Sequence, residues 1–128
     1  MADYAKYIEK YKDIFDYIKD YHTQDLVKIL LQKRGDDQKK EAAKVAAAIA
    51  LRNGFKTIDP RTLNRAAFYH TAHLIDKVEQ KWYDSSLDNS KKRRKISRYS
   101  AAIAIRNGIH DDLPLIIHIA VKILKIIK

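Results

Sequence analysis

The stretch Ala47-Ala-Ile-Ala-Leu-Arg-Asn-Gly-Phe55 recurs 54 residues later as Ala101-Ala-Ile-Ala-Ile-Arg-Asn-Gly-Ile109, with seven of nine positions identical. The register holds on both sides without a gap. Pro60 falls opposite Pro114, Leu63 opposite Ile117, and Lys39-Lys40 opposite Arg93-Arg94. Each copy reads as a basic start, an Ala/Ile-rich helix, an Arg-Asn-Gly stop, a short loop and a helix opened by proline. Glycine suits the left-handed stop, and proline suits the first helical turn, where its missing N–H costs nothing. Two copies predict a pseudo-symmetric bundle of two αα-hairpins, residues 36–83 and 90–128, behind a leading helix over 1–34. At 128 residues the chain has the length of one domain.

Hydrophobic period supports the same class throughout. Tyr4, Tyr7, Ile8, Tyr11, Ile14, Phe15, Ile18 and Tyr21 recur at helical steps, and Thr23 is placed to cap a continuation through Leu31. A second helix runs from Asp36 or Asp37 to Asn53, with Gly54 beyond it. Asp59-Pro60 opens a third, carrying Leu63, Ala66, Leu74, Ile75, Val78 and Trp82. A fourth spans about Lys91 to Asn107, and Asp112-Leu-Pro114 starts a fifth that reaches the C-terminus. No stretch alternates with the period of a strand. The predicted fold is all-α, a small helical bundle of about five helices.

Charge narrows the function. The net charge is +10, and residues 1–25 hold four Lys against six Asp/Glu, which leaves +12 on the rest. An excess of that size repels itself unless an anion neutralises it, and nucleic acid is the abundant intracellular polyanion. A solvated lysine-rich surface is the plainer counterpart. The sharpest cluster is Lys91, Lys92, Arg93, Arg94 and Lys95, with Arg98 one turn on. With Ser90 as cap, these cations sit at the positive end of a helix dipole, where each is disfavoured unless phosphate sits against it. Lys39, Lys40, Lys44, Lys56, Arg61 and Arg65 extend the candidate phosphate-binding set. Arg52 and Arg106 lie in last turns, where the dipole favours them and a structural role suffices. Nothing in the set reads bases, so contact with the backbone alone is expected.

Two segments point to self-association. The acidic leading helix carries a tyrosine stripe (Tyr4, Tyr7, Tyr11) suited to packing, within the bundle or on a neighbouring subunit. The last helix is apolar around most of its circumference, with a polar stripe of His118, Lys122 and Lys125. Such a helix must be buried on several sides, which places Ile116, Ile119, Ile123, Ile126 and Ile127 at a subunit interface or in the core. A membrane-surface role ranks behind these.

Signals for catalysis are sparse. Zero cysteine excludes a disulfide scaffold, a thiolate metal site and a Cys nucleophile. His70 and His73 share a helix face without a third ligand, and His110-Asp111-Asp112 is explained by helix-start chemistry. No enzyme activity, metal or cofactor is expected. The first 25 residues contain no apolar signal region, so secretion by a signal peptide is not expected.

Three resemblances bear on function. Arg65-Ala-Ala-Phe-Tyr-His70 resembles the spaced Arg and His of HEPN-type ribonucleases, which implies RNA cleavage dependent on His70; Ala66 stands where that family has a polar residue. Gly54-Phe-Lys-Thr-Ile-Asp-Pro-Arg-Thr-Leu-Asn-Arg-Ala-Ala67 resembles the second loop and following helix of archaeal histones, which implies that Lys56 and Thr57 meet DNA phosphates. In overall character the chain resembles the α-helical coat and nucleocapsid proteins of filamentous or spindle-shaped archaeal viruses: short, basic, cysteine-poor and rich in Ile, Lys and Tyr. That resemblance implies a self-assembling structural protein of the virion that binds nucleic acid, DNA ahead of RNA, together with copies of itself. A histone-like or CRISPR small-subunit-like binding module is the alternative, with a cytoplasmic or nucleoid location.

Overall fold

The computed structural model describes residues 4–127, and its described part is helical with no strand. The side chains of Tyr4 and Ile127, both expected at a subunit interface, lie outside the described residues. In chain order the α-helices are α1 (Tyr4–Lys10), α2 (Lys12–Asp20), α3 (Thr23–Leu31), α4 (Lys39–Arg52), α5 (Pro60–Phe68), α6 (Thr71–Trp82), α7 (Asn89–Ala104) and α8 (Leu113–Ile127). The chain is thus divided more finely than the five helices expected from periodicity. The leading segment bends at Tyr11 and breaks at Tyr21-His22, and the third predicted helix breaks at Tyr69-His70.

The two breaks are alike. Tyr21 and Tyr69 adopt extended backbone (φ −127° and −116°), as do His22 and His70 (φ −80° and −69°). Each is followed by a buried threonine held by the asparagine of an Arg-Asn-Gly stop. Asn53 Nδ2 donates to Thr23 Oγ1 (3.0 Å) and to the Ile49 carbonyl (2.7 Å). Asn107 Nδ2 donates to Thr71 Oγ1 (3.0 Å) and to the Ile103 carbonyl (2.8 Å). The preceding arginines also match: Arg52 donates to the Ile18 carbonyl and Arg106 to that of Ala66.

These bonds group the helices as two three-helix units, α2-α3-α4 and α5-α6-α7, whereas the sequence repeat drew the units as 36–83 and 90–128. Tyr21-His22-Thr23 and Tyr69-His70-Thr71 are the second half of the repeat signal. It stands at an offset of 48 residues rather than 54 because α6 and α7 are longer than α3 and α4. Thr23, expected as a cap, is instead the first residue of α3, with His22 in the cap position.

The centre of the bundle is α4 against α7, running antiparallel. Ala42, Ala43, Ala46, Ala47, Ala48 and Ala50 of α4 are buried, as are Ala101, Ala102 and Ala104 of α7. Small side chains let helix axes approach closely, so α4 is enclosed by α2, α3, α7 and α8 at once. The helix stops are local: Gly54 and Gly108 take φ of +92° and +105°, a region where any Cβ brings strain. The expected Asp59 cap of α5 is present, its carboxylate accepting from Thr62 N–H at 2.7 Å.

The terminal helix α8 lies along α2 and α4 and is not central. Leu113, Ile116, Ile117, Ile119 and Ala120 face the protomer's own core. Lys10 and Tyr11 tie its start to α1 through Asp112. On the opposite unit α5 packs on α7 and keeps apolar side chains on its outer surface. Leu63, expected inward, is 40% exposed and Phe68 79%, while Phe15, the counterpart of Leu63 on α2, is 3% exposed beside α8.

Candidate nucleic-acid interface

Because α4 and α7 are antiparallel, the Arg-Asn-Gly stop of α4 meets the basic start of α7. Arg93 Nη1 donates to Asn53 Oδ1 at 3.0 Å, a contact across 40 residues of sequence. The α4–α5 loop and the first turns of α7 therefore wall one groove of about 720 Å³, to which Lys56, Thr57, Arg93, Arg94 and Arg98 contribute. A smaller concavity of about 410 Å³ shares Arg94 and Arg98 and adds Lys91 and Lys95. Six of the cations expected to bind phosphate, with Thr57 beside them, thus form one continuous surface at one end of the bundle.

The start of α7 differs from expectation in its cap. Asp88, not Ser90, holds that position and accepts from Lys91 N–H at 2.8 Å. One carboxylate offsets part of the clash between the dipole and the basic run, and five consecutive cations still follow it. Asp59, at the rim of the groove, has its carboxyl held below the ordinary value. The Thr62 backbone N–H is the main cause, and nearby Arg98 and Arg65 add to it.

Several cations elsewhere on the surface are paired with carboxylates. Lys44 is bound to Asp13 (3.1 Å) and Glu41 (3.4 Å), Lys39 reaches Asp36 at 3.7 Å, and Arg34 is shared by Asp76 and Glu79. Among the described residues none of Lys56, Lys91, Arg93, Arg94, Lys95 or Arg98 forms an ion pair with a carboxylate.

The other expected binding residues are placed elsewhere. Lys39 and Lys40 stand at the far end of α4, about 20 Å from its Arg-Asn-Gly stop at 1.5 Å per residue. Lys44 is consumed by its two carboxylates. Arg65 stacks on the Tyr99 ring at 4.3 Å, and Lys92 stands 6.0 Å from the centroid of Trp82. Arg61 is exposed on the first turn of α5, outside the groove lining.

The residues expected at a subunit interface are mostly packed inside the single chain. Ile116 is fully buried and Ile119 is 5% exposed. Tyr7, Tyr11 and Ile123 are half-buried against the core. Ile126, at 81% exposed, remains outward and borders with Ile8 and Ile123 a groove between α1, α2 and α8. Among the described residues no helix is long and apolar enough to cross a membrane.

No protein-family model, curated protein or solved structure matches the chain. The functional reading therefore rests on the groove.

Three residues close to it carry no motif of their own in the sequence: His22, Gln24 and Trp82, which with Thr23, Arg52 and Arg93 line a smaller recess of about 330 Å³. The Tyr-His-Thr triplet, present twice, is the signal that would have drawn attention to His22.

Proposed function

We propose that this protein is a non-enzymatic nucleic-acid-binding protein. It holds phosphates along the groove between the α4–α5 loop and the start of α7, and it acts as a structural component that assembles with further copies of itself, as a coat or nucleoprotein does. The observation that carries the reading is the gathering of Lys56, Lys91, Arg93, Arg94, Lys95 and Arg98 on one surface, while cations such as Arg34 and Lys44 are paired with carboxylates. A set of unpaired cations beside backbone N–H groups is suited to backbone phosphates, and binding of that kind is insensitive to base sequence and weakens steeply with salt. Assembly has narrower support: the exposed Ile8 and Ile126 on the α1/α8 side and Leu63 and Phe68 on α5.

The test measures retention of purified protein on DNA against salt, with light scattering and electron microscopy before and after DNA is added. Binding at low salt that is lost as salt rises, together with large species in the presence of DNA, is the expected result. Indifference to polyanions in nearly salt-free buffer would refute the binding reading. A sharp monomer peak with DNA bound would remove assembly alone.

A further inference from the structure

The recess beside the basic groove names the form of the ligand. We infer that it accepts an unstacked base, so that the nucleic acid held here is single-stranded; this rests on the binding proposed above and adds a recognition element to it. The recess is walled by His22, Thr23, Gln24, Arg52, Trp82 and Arg93, and its volume of about 330 Å³ is enough for a planar base. Arg93 belongs both to this recess and to the phosphate groove, so a strand whose backbone follows the groove passes the mouth of the recess. Trp82, half-buried at the end of α6, offers an aromatic surface, and every base has a π-face to lay against one. His22 and Gln24 place polar groups where base edges would lie. Arg52 is held in position by the Ile18 carbonyl, with its Nη2 3.5 Å from His22 Nδ1. In a duplex the bases are stacked and paired inside, and only phosphates would meet this surface.

The pseudo-symmetry of the fold supports the assignment. Counted by 48 from the start of α6, Trp82 and Gln24 fall against Arg34, just past the end of the shorter α3, and Ala72; counted by 54, Arg93 falls against Lys39. Arg34 is held by Asp76 and Glu79, and Lys39 pairs with Asp36. The matching position therefore lacks the aromatic surface, and two of its cations are paired with carboxylates. One of two related places is furnished for a base, although the Thr-Asn bonds that shape the backbone are the same in both.

Trp82 is the sole tryptophan in the chain, so it reports on its own contact. The experiment titrates the protein with oligodeoxythymidine, oligouridine and a DNA duplex of equal length, following tryptophan fluorescence, with anisotropy of labelled strands as an independent measure of binding. Single strands should quench the fluorescence and the duplex should not. Trp82→Leu should weaken single-strand binding by about 5- to 160-fold, the range of one lost base–aromatic stack, and leave duplex binding unchanged. Trp82→Phe should recover most of the loss, which separates stacking from a packing defect. The two single strands distinguish DNA from RNA. Binding of oligonucleotides by anisotropy without any change in tryptophan emission would overturn the inference while leaving phosphate binding intact. Equal weakening of single strand and duplex in Trp82→Leu would do the same. Absence of binding to all three ligands would defeat both this inference and the phosphate reading.

Discussion

Replacing Lys91 and Arg94 with glutamine removes two of the six unpaired cations that line the groove and its adjoining concavity. Each neutralised phosphate contributes about −0.7 to the slope of log affinity against log salt for a single strand. Six contacts give a slope of about −4.2, a loss of about 300-fold between 50 and 200 mM salt. With two removed, the slope should fall to about −2.8 and the loss to about 50-fold. Both side chains are exposed and form no ion pair among the described residues, so stability should stay within about 0.5 kcal/mol of the parent. The control is Lys39→Gln with Lys40→Gln, an equal charge change at the other end of α4. Anisotropy titrations at several salt concentrations give the slopes directly. If the control pair flattens the slope as much as the groove pair, net charge alone drives binding and the groove has no special part in it.

Ile116→Ala should cost about 2–5 kcal/mol in urea unfolding, independent of protein concentration, because Ile116 is 0% exposed within the protomer. A loss that vanishes at low concentration would instead assign the residue to an interface. Asn53→Ala and Asn107→Ala should each destabilise by about 1–3 kcal/mol, since each leaves a buried threonine without its side-chain partner. A large effect at one site and none at the other would argue against the equivalence of the two units. Asp59 has its carboxyl lowered in the folded state, so its contribution is present above the ordinary carboxylate range and is lost as pH falls through the folded value. Asp59→Asn, which keeps an acceptor at the cap, should therefore lose less stability than the parent between neutral and strongly acid pH; parallel pH curves in urea titrations would contradict the assignment.

Tyr11, Tyr21-His22 and Tyr69-His70 interrupt runs whose apolar spacing reads as continuous helix. Nothing in that spacing distinguishes a bent helix from a straight one. The corresponding signal was a repeated triplet rather than a periodicity. It becomes meaningful once Thr23 and Thr71 are seen bonded to residues 30 and 36 positions away. The site was legible in part. The basic run over 91–95 and the Lys56-Thr57 pair stand out by composition and resemblance, but their meeting requires α4 and α7 to run antiparallel.

The class of the fold, the positions of its stops at Gly54 and Gly108 and the cap at Asp59 followed from the amino-acid sequence, because capping and the sign of φ are decided within a few residues of chain. For some cations, availability was decided by tertiary structure. Lys44 is neutralised by Asp13 across 31 residues, and Arg34 by Asp76 and Glu79 across more than 40, while Arg94 meets no carboxylate among the described residues. The same holds for α8, whose apolar surface is equally suited to a core or an interface until α2 and α4 are packed against it. A charge or an apolar face is a property of the residue, but its partner is a property of which distant helices the packing brings alongside.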